Sequence, residues 1–217
     1  MISYAIMAHP KRRHFVGLLK RELPSATVVW DKINDRWDTG RRSMLAHEPE
    51  AEWHVVVQDD AILCRDFTGQ VERALEELGH GPAAFYMGQT GRFNGTSVRA
   101  MMDKARRKAQ RWIVASGPRW GPAVAVQTQD IEAMLEYGGT QKQLNNYDLR
   151  MEAYFQHIGR QCHYSVPCLV EHRVGPRNPS LIKHRGQGRR RTAAWWEKEG
   201  SEHWRGSMQE LREVRHG

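Results

Sequence analysis

Short apolar runs, each about the length of a strand, alternate along this chain with segments of helical periodicity. ISYAIMA (2–8), ATVVWD (26–31), WHVVVQDD (53–60), AAFYMG (83–88) and PAVAVQT (122–128) are too short and too apolar for surface helices and read as strands. Between them, KRRHFVGLLKREL (11–23) places Phe15, Leu18, Leu19 and Leu23 at helical spacing. DFTGQVERALEELG (66–79) predicts a helix that Gly79 ends. TSVRAMMDKARRKAQRW (96–112) predicts another, capped by Thr96, with Val98, Met101, Met102, Ala105 and Ala109 as its apolar stripe. Helices over 130–138 and 146–159 and an extended segment over 163–172 complete the pattern. Strands alternating with helices predict an α/β fold: one domain with a mostly parallel, mixed sheet flanked by helices.

Bulk properties agree with one globular unit. The chain has 217 residues, 40% hydrophobic and 27% charged, enough to bury a sizeable core. Its formal charge of +8 and pI near 9.7 favour anionic partners such as nucleotide phosphates, nucleic acid or an acidic surface. Cys64, Cys162 and Cys168 make no disulfide framework and suit a reducing compartment. The opening MISYAIMAHPKRR sets its apolar run before its charges, the reverse of a secretory signal, and no stretch approaches the ~18 apolar residues of a spanning helix. A cytoplasmic location without a membrane span is expected.

From residue 173 the texture changes to an Arg-, Gly- and Pro-rich stretch, RVGPRNPSLIKHRGQGRRR, without a carboxylate. Lys183, Arg185, Arg189, Arg190 and Arg191 there suit a lid over an anion, hinged at Gly186 and Gly188, a track for a nucleic-acid backbone, or a solvated tail. The last segment predicts a short helix carrying Trp195, Trp196 and Trp204. The expected division is a domain over 1–185 and a basic, Trp-containing extension over 186–217.

In a parallel α/β sheet a ligand binds beyond the carboxyl ends of the strands. His9 follows the first strand, Asp31 the second, and Asp59 and Asp60 the third. Two neighbouring carboxylates repel and are costly to desolvate. Either a divalent cation such as Mn2+ or Mg2+ sits between them, or one caps a turn while the other is solvated. Cys162, His163, Cys168 and His172 match no common zinc spacing. No second acidic cluster supports a two-metal nuclease.

The strand ending in HP with arginines nearby, the VVVQDDA strand end, the NNYDLRMEAYF helix and the VPCLVEHR…PSL segment, in that order, resemble a small GT-A glycosyltransferase of the bacterial and phage-encoded type. The likeness covers roughly residues 1–185 and implies a GT-A-like, Rossmann-related domain acting on a nucleotide-sugar. By that resemblance Asp60 and His172 bind the metal, and Asp59, His9, Pro10, Arg13, and Asp31 or Asp35 lie along the nucleotide. Lys183, Arg185 and Arg189 would close on its diphosphate. Asp148 faces the acceptor and in an inverting enzyme would be the general base, kept ionised at a low pKa by the helix N-terminus. Gln58 departs from the acidic residue often found at the head of the motif.

Charge also bears on the acceptor. Arg99, Arg106, Arg107 and Arg111, with Arg190, Arg191 and the late tryptophans, form a candidate nucleic-acid surface. A hydroxylated base of phage-type modified DNA is then one expected acceptor, and a protein or polysaccharide another. A non-enzymatic DNA-binding protein would explain the charge but leave the carboxylate pair without a purpose.

Overall fold

The computed structural model describes residues 1–174 and 192–205. The strands β1 (Ile2–Ala8), β2 (Thr27–Trp30), β3 (Trp53–Gln58), β5 (Ala83–Ala84), β8 (Trp112–Ala115), β9 (Ala123–Gln127) and β10 (Cys162–Ser165) form a seven-stranded sheet in the order β2-β1-β3-β9-β5-β10-β8. β2, β1, β3, β5 and β10 run one way; β9 and β8 run the other. The pairs β4 (Ala61–Leu63) with β11 (Val170–His172), and β6 (Arg92–Phe93) with β7 (Thr96–Ser97), stand outside it. The helices are α1 (Arg13–Glu22), α2 (Arg36–Met44), α3 (Phe67–Leu78), α4 (Val98–Arg107), α5 (Thr128–Thr140) and α6 (Tyr147–His157). None of the described helices is long and apolar enough to cross a membrane.

The unbroken valine run follows from helices covering both faces. Val55 and Val57 pack in a cluster with Val16 and Leu19 of α1 and with Val71 and Leu75 of α3. Val56, pointing the opposite way, packs with Met44, Met134, Tyr147 and Phe155 of α2, α5 and α6. A strand buried on both faces cannot alternate polar and apolar residues. A third cluster, around Met102, Ile113 and Tyr164, fills the β8 end of the sheet.

Local propensity was overridden in several places. The helix expected over 96–112 spans only α4. Ser97, rather than Thr96, caps it by accepting from the Ala100 N–H at 3.2 Å. Ala109 adopts φ 48°, leaves the helix, and lets Trp112 enter β8. Within α1 Leu18 is exposed, while Phe15 and Leu19 are buried. The polar segment RWDTGRRSM forms α2, an element its weak periodicity does not announce.

The expected terminal helix is absent between 192 and 205. That segment is a strap bonded to distant backbone: Gln89 N–H to Thr192 O, Ala194 N–H to Met87 O and Cys168 N–H to Trp195 O. Backbone groups satisfied across the chain have no need of helical partners. Trp204 is 1% exposed and packs at 4.9 Å on Trp112, so it is core. Lys183, Arg185, Arg189, Arg190 and Arg191, the hinge glycines Gly186 and Gly188, and the boundary at 185/186 lie outside the described residues.

Candidate active site

The end of β3 is held beside the loop after β1 by parallel pairing, Met7 opposite Gln58, and by the Asp59 N–H to Met7 O bond at 3.0 Å. That loop turns at His9, whose imidazole caps a short 3-10 helix, Pro10–Arg12. The His9 N–H then donates to Asp59 Oδ2 at 2.7 Å.

Asp59 and Asp60 are only 3% and 1% exposed, so neither is solvated. Arg12 Nη1 bridges them, 3.0 Å from Asp59 Oδ1 and 2.7 Å from Asp60 Oδ2. Neither arrangement expected from the sequence anticipated this internal guanidinium. Burial first, then the charge of Asp60, pushes the Asp59 carboxyl up to about 6; Arg12 and the His9 N–H oppose the shift.

His172 comes to Asp60 through strand pairing. β11 runs antiparallel to β4 with His172 opposite Ala61, and Arg173 N–H donates to Asp60 O at 2.7 Å. His172 Nε2 thereby lies 3.1 Å from Asp60 Oδ2. Two ligands at right angles on one ion, each with a bond of ~2.1 Å, stand about 3 Å apart. The 3.1 Å separation suits a direct hydrogen bond as well as two neighbouring ligands of one hard cation, and Arg12 Nη1 shares the same Asp60 oxygen. Among the described residues no group of three or more His, Cys, Asp or Glu side chains converges on one point, so these two would act alone from the protein. The same observation removes the Cys162, His163, Cys168, His172 zinc arrangement.

His9 Nε2 lies 4.0 Å from Asp31 Oδ2. Asp31 also shapes its own turn, accepting from the Ile33 and Asn34 N–H groups. Asp35 is committed elsewhere: it caps α2, accepting from Trp37 and Asp38 N–H. Pro10 and Arg13 are exposed, with Arg13 resting 5.5 Å over Trp30.

Asp148 reaches the same edge through Tyr147. The Tyr147 hydroxyl donates to Gly121 O at 2.6 Å, just before β9, and it interacts with the Gln58 amide. Burial raises the Tyr147 phenol, and the charges of both Asp148 and Asp60 add to the rise. The Tyr147 hydroxyl and the Gln58 amide meet against Gly121, so Gln58 is engaged with Tyr147 at this edge. The low pKa expected for Asp148 is reversed. Burial pushes its carboxyl up to about 7, which the Leu149 N–H and Arg36 only partly oppose. Desolvation of the carboxyl outweighs the helix N-terminus, although the residue as a whole keeps partial exposure at the surface.

The candidate nucleic-acid surface does not gather here. Arg106 lies 4.8 Å over Trp195, and Arg111 pairs with Glu77 at 2.6 Å. Arg99 and Arg107 are exposed on α4, by the β8 end of the sheet. Sequence reasoning chose Arg13 and passed over Arg12. A signal was present, since Arg12, just before α1, lies three and four residues ahead of the buried Phe15 and Val16.

No family model matches the chain, and no curated protein matches it. Among solved structures it is similar to A197 from STIV, with a TM-score of 0.52 and 9% identity over 80% of this chain and 85% of that one. A mutant of Drosophila beta-1,4-galactosyltransferase 7, in complex with manganese, UDP-Gal and xylobiose, aligns with a TM-score of 0.46 and 11% identity over 86% of this chain and 76% of that one. At such identities the likeness to A197 concerns the fold alone, a mixed α/β domain.

Proposed function

We propose that this protein is a glycosyltransferase that moves a sugar from a nucleotide-sugar to a hydroxyl acceptor. The observation that carries the reading is the Asp59–Arg12–Asp60–His172 cluster at the carboxyl end of β3, with Tyr147, the chain neighbour of Asp148, bonded to Gly121 at the same edge. A non-enzymatic DNA-binding protein has no use for buried carboxylates at that edge, since they repel phosphate.

In this reading His9, Asp31 and Asp59 border the nucleotide, with Pro10, Arg13 and Asp35 at its rim. Asp60 and His172 hold Mn2+ or Mg2+, which when bound supplies positive charge to the departing diphosphate. Lys183, Arg185 and Arg189 add charge from the basic segment, which belongs to the transferase unit up to residue 185. Asp148 is the general base. The acceptor oxygen bonds to the anomeric carbon as the bond from that carbon to the diphosphate breaks, and the hydroxyl proton passes to the Asp148 carboxylate. A base with a pKa near 7 suits this transfer at neutral pH.

Thermal shift with UDP- and GDP-sugars, with and without Mn2+, tests the proposal. At least one nucleotide-sugar should raise the melting temperature, and transfer or slow hydrolysis should follow with that donor. If none stabilises the protein, the reading fails.

A further inference from the structure

A recess opens on the same edge of the sheet, away from the carboxylate cluster. It has a volume of about 300 Å3, the lower end of the ~300–1,000 Å3 usual for ligand pockets. Arg106 enters from α4, Pro167 from the turn after β10, and Trp195, Glu197, Glu202 and Arg205 from the strap.

Strand directions fix its position. β10 runs parallel to β5, and β5 and β3 both run antiparallel to β9 between them. The ends of β10 and β3 therefore share an edge, three strand spacings apart, or roughly 14 Å at ~4.8 Å each. From Pro167 the chain returns along that edge to His172, which meets Asp60. A ligand in the recess lies too far away to react, but a connected unit of the same molecule would reach the cluster.

The lining chemistry selects the ligand. Pro167, Val166 and Trp195 give an apolar wall. Glu197 accepts from Trp195 Nε1 at 3.0 Å and stands 3.7 Å from Arg205, while Arg106 lies over the Trp195 ring. Two arginines balance two glutamates, so a polyanion meets no net positive charge and is opposed by Glu197 and Glu202. An apolar wall with a balanced, hydrogen-bonding rim matches a neutral, hydroxyl-rich ring.

We propose that this recess binds a saccharide unit, the remote part of a glycan acceptor whose reacting hydroxyl lies at the carboxylate cluster. Its role as an acceptor subsite rests on the transferase reading; saccharide binding does not.

The test is saturation-transfer NMR with millimolar glucose, galactose, mannose and N-acetylglucosamine on wild type, Trp195→Ala and Glu202→Gln. Thermal shift with nucleotide-sugars and binding of a short DNA duplex at low salt are measured on the same preparations. At least one sugar should bind wild type and bind about tenfold more weakly to either variant, with the nucleotide-sugar shift unchanged. Glu202 is exposed, so its substitution keeps the test valid if Trp195→Ala misfolds. Absence of sugar binding to wild type, or equal binding to wild type and variants, overturns the proposal. Duplex binding lost on Trp195→Ala also overturns it, by assigning the recess to nucleic acid. Sugar binding without any nucleotide-sugar binding supports the recess and removes the transferase reading.

Discussion

Arg12 Nη1 lies 2.7 Å from Asp60 Oδ2, and both side chains are almost wholly buried. Removing one partner from a buried ion pair leaves an uncompensated charge and costs about 3–5 kcal/mol. Arg12→Met should lower unfolding free energy by that order in urea titrations. Asp60→Asn on the Arg12→Met background should recover part of the loss. Additive losses instead would mean that the two side chains do not act on each other.

Since Arg12 already compensates the pair, chelation should leave the melting temperature of the protein alone unchanged. Nucleotide affinity should respond: UDP or GDP binding, followed by calorimetry, should weaken on chelation with EDTA. His172→Ala should weaken the Mn2+-dependent part at least about tenfold. Equal affinity in EDTA and Mn2+ would remove Asp60 and His172 as ligands.

Asp148 has its carboxyl pushed up to about 7. Only the ionised form takes a proton, so the turnover rate at saturating donor should rise with pH through about 7 and level above it. Asp148→Asn should abolish transfer while keeping the thermal shift given by the donor. Full activity in that variant would exclude Asp148 as the base.

His54 is buried between Ser3 and the Ser43 carbonyl, and desolvation lowers its pKa from 6.5 to about 4. The unfolded chain therefore binds a proton that the fold refuses between those values, and His54 makes the fold lose stability as pH falls from 6.5 to 4. Asp59 and Asp148, raised to about 6 and 7, act in the opposite sense as pH rises from 3.8. The melting-temperature gap between wild type and His54→Gln should narrow from pH 6.5 to pH 4. A constant gap would mean that His54 does not titrate as stated.

Gly40 sits inside α2, where alanine would ordinarily favour the helix by up to ~1 kcal/mol. A Cβ there would stand 2.5 Å from Tyr147 Cβ and Cγ, an overlap that costs about 1–3 kcal/mol. Gly40→Ala should destabilise the protein in chemical unfolding and, by moving Tyr147, lower transfer more than donor binding. A stabilised variant would show that α2 and α6 approach less closely.

The sequence by itself determined the parts whose causes are local. Apolar runs mark β1, β2, β3 and β9; periodicity marks α1, α3, α5 and α6; and the valines of β3 deliver Asp59 and Asp60 to its carboxyl end. The order of those elements was enough to expect a mixed α/β sheet of this kind and to name Asp148 and His172 as candidates. Tertiary structure decided what those groups experience. Parallel pairing of β1 with β3 brought Arg12 onto the carboxylates, and pairing of β4 with β11 set His172 against Asp60. Packing of Tyr147 against Gly121 and Gln58 fixed α6 at this edge, and burial turned the expected low pKa of Asp148 into one near 7. Long-range backbone bonds made a strap of residues 192–205, the described part of the segment expected to be helical. Contacts between residues distant in the chain, and the water they exclude, set charge compensation and pKa, while propensity and periodicity register only near neighbours.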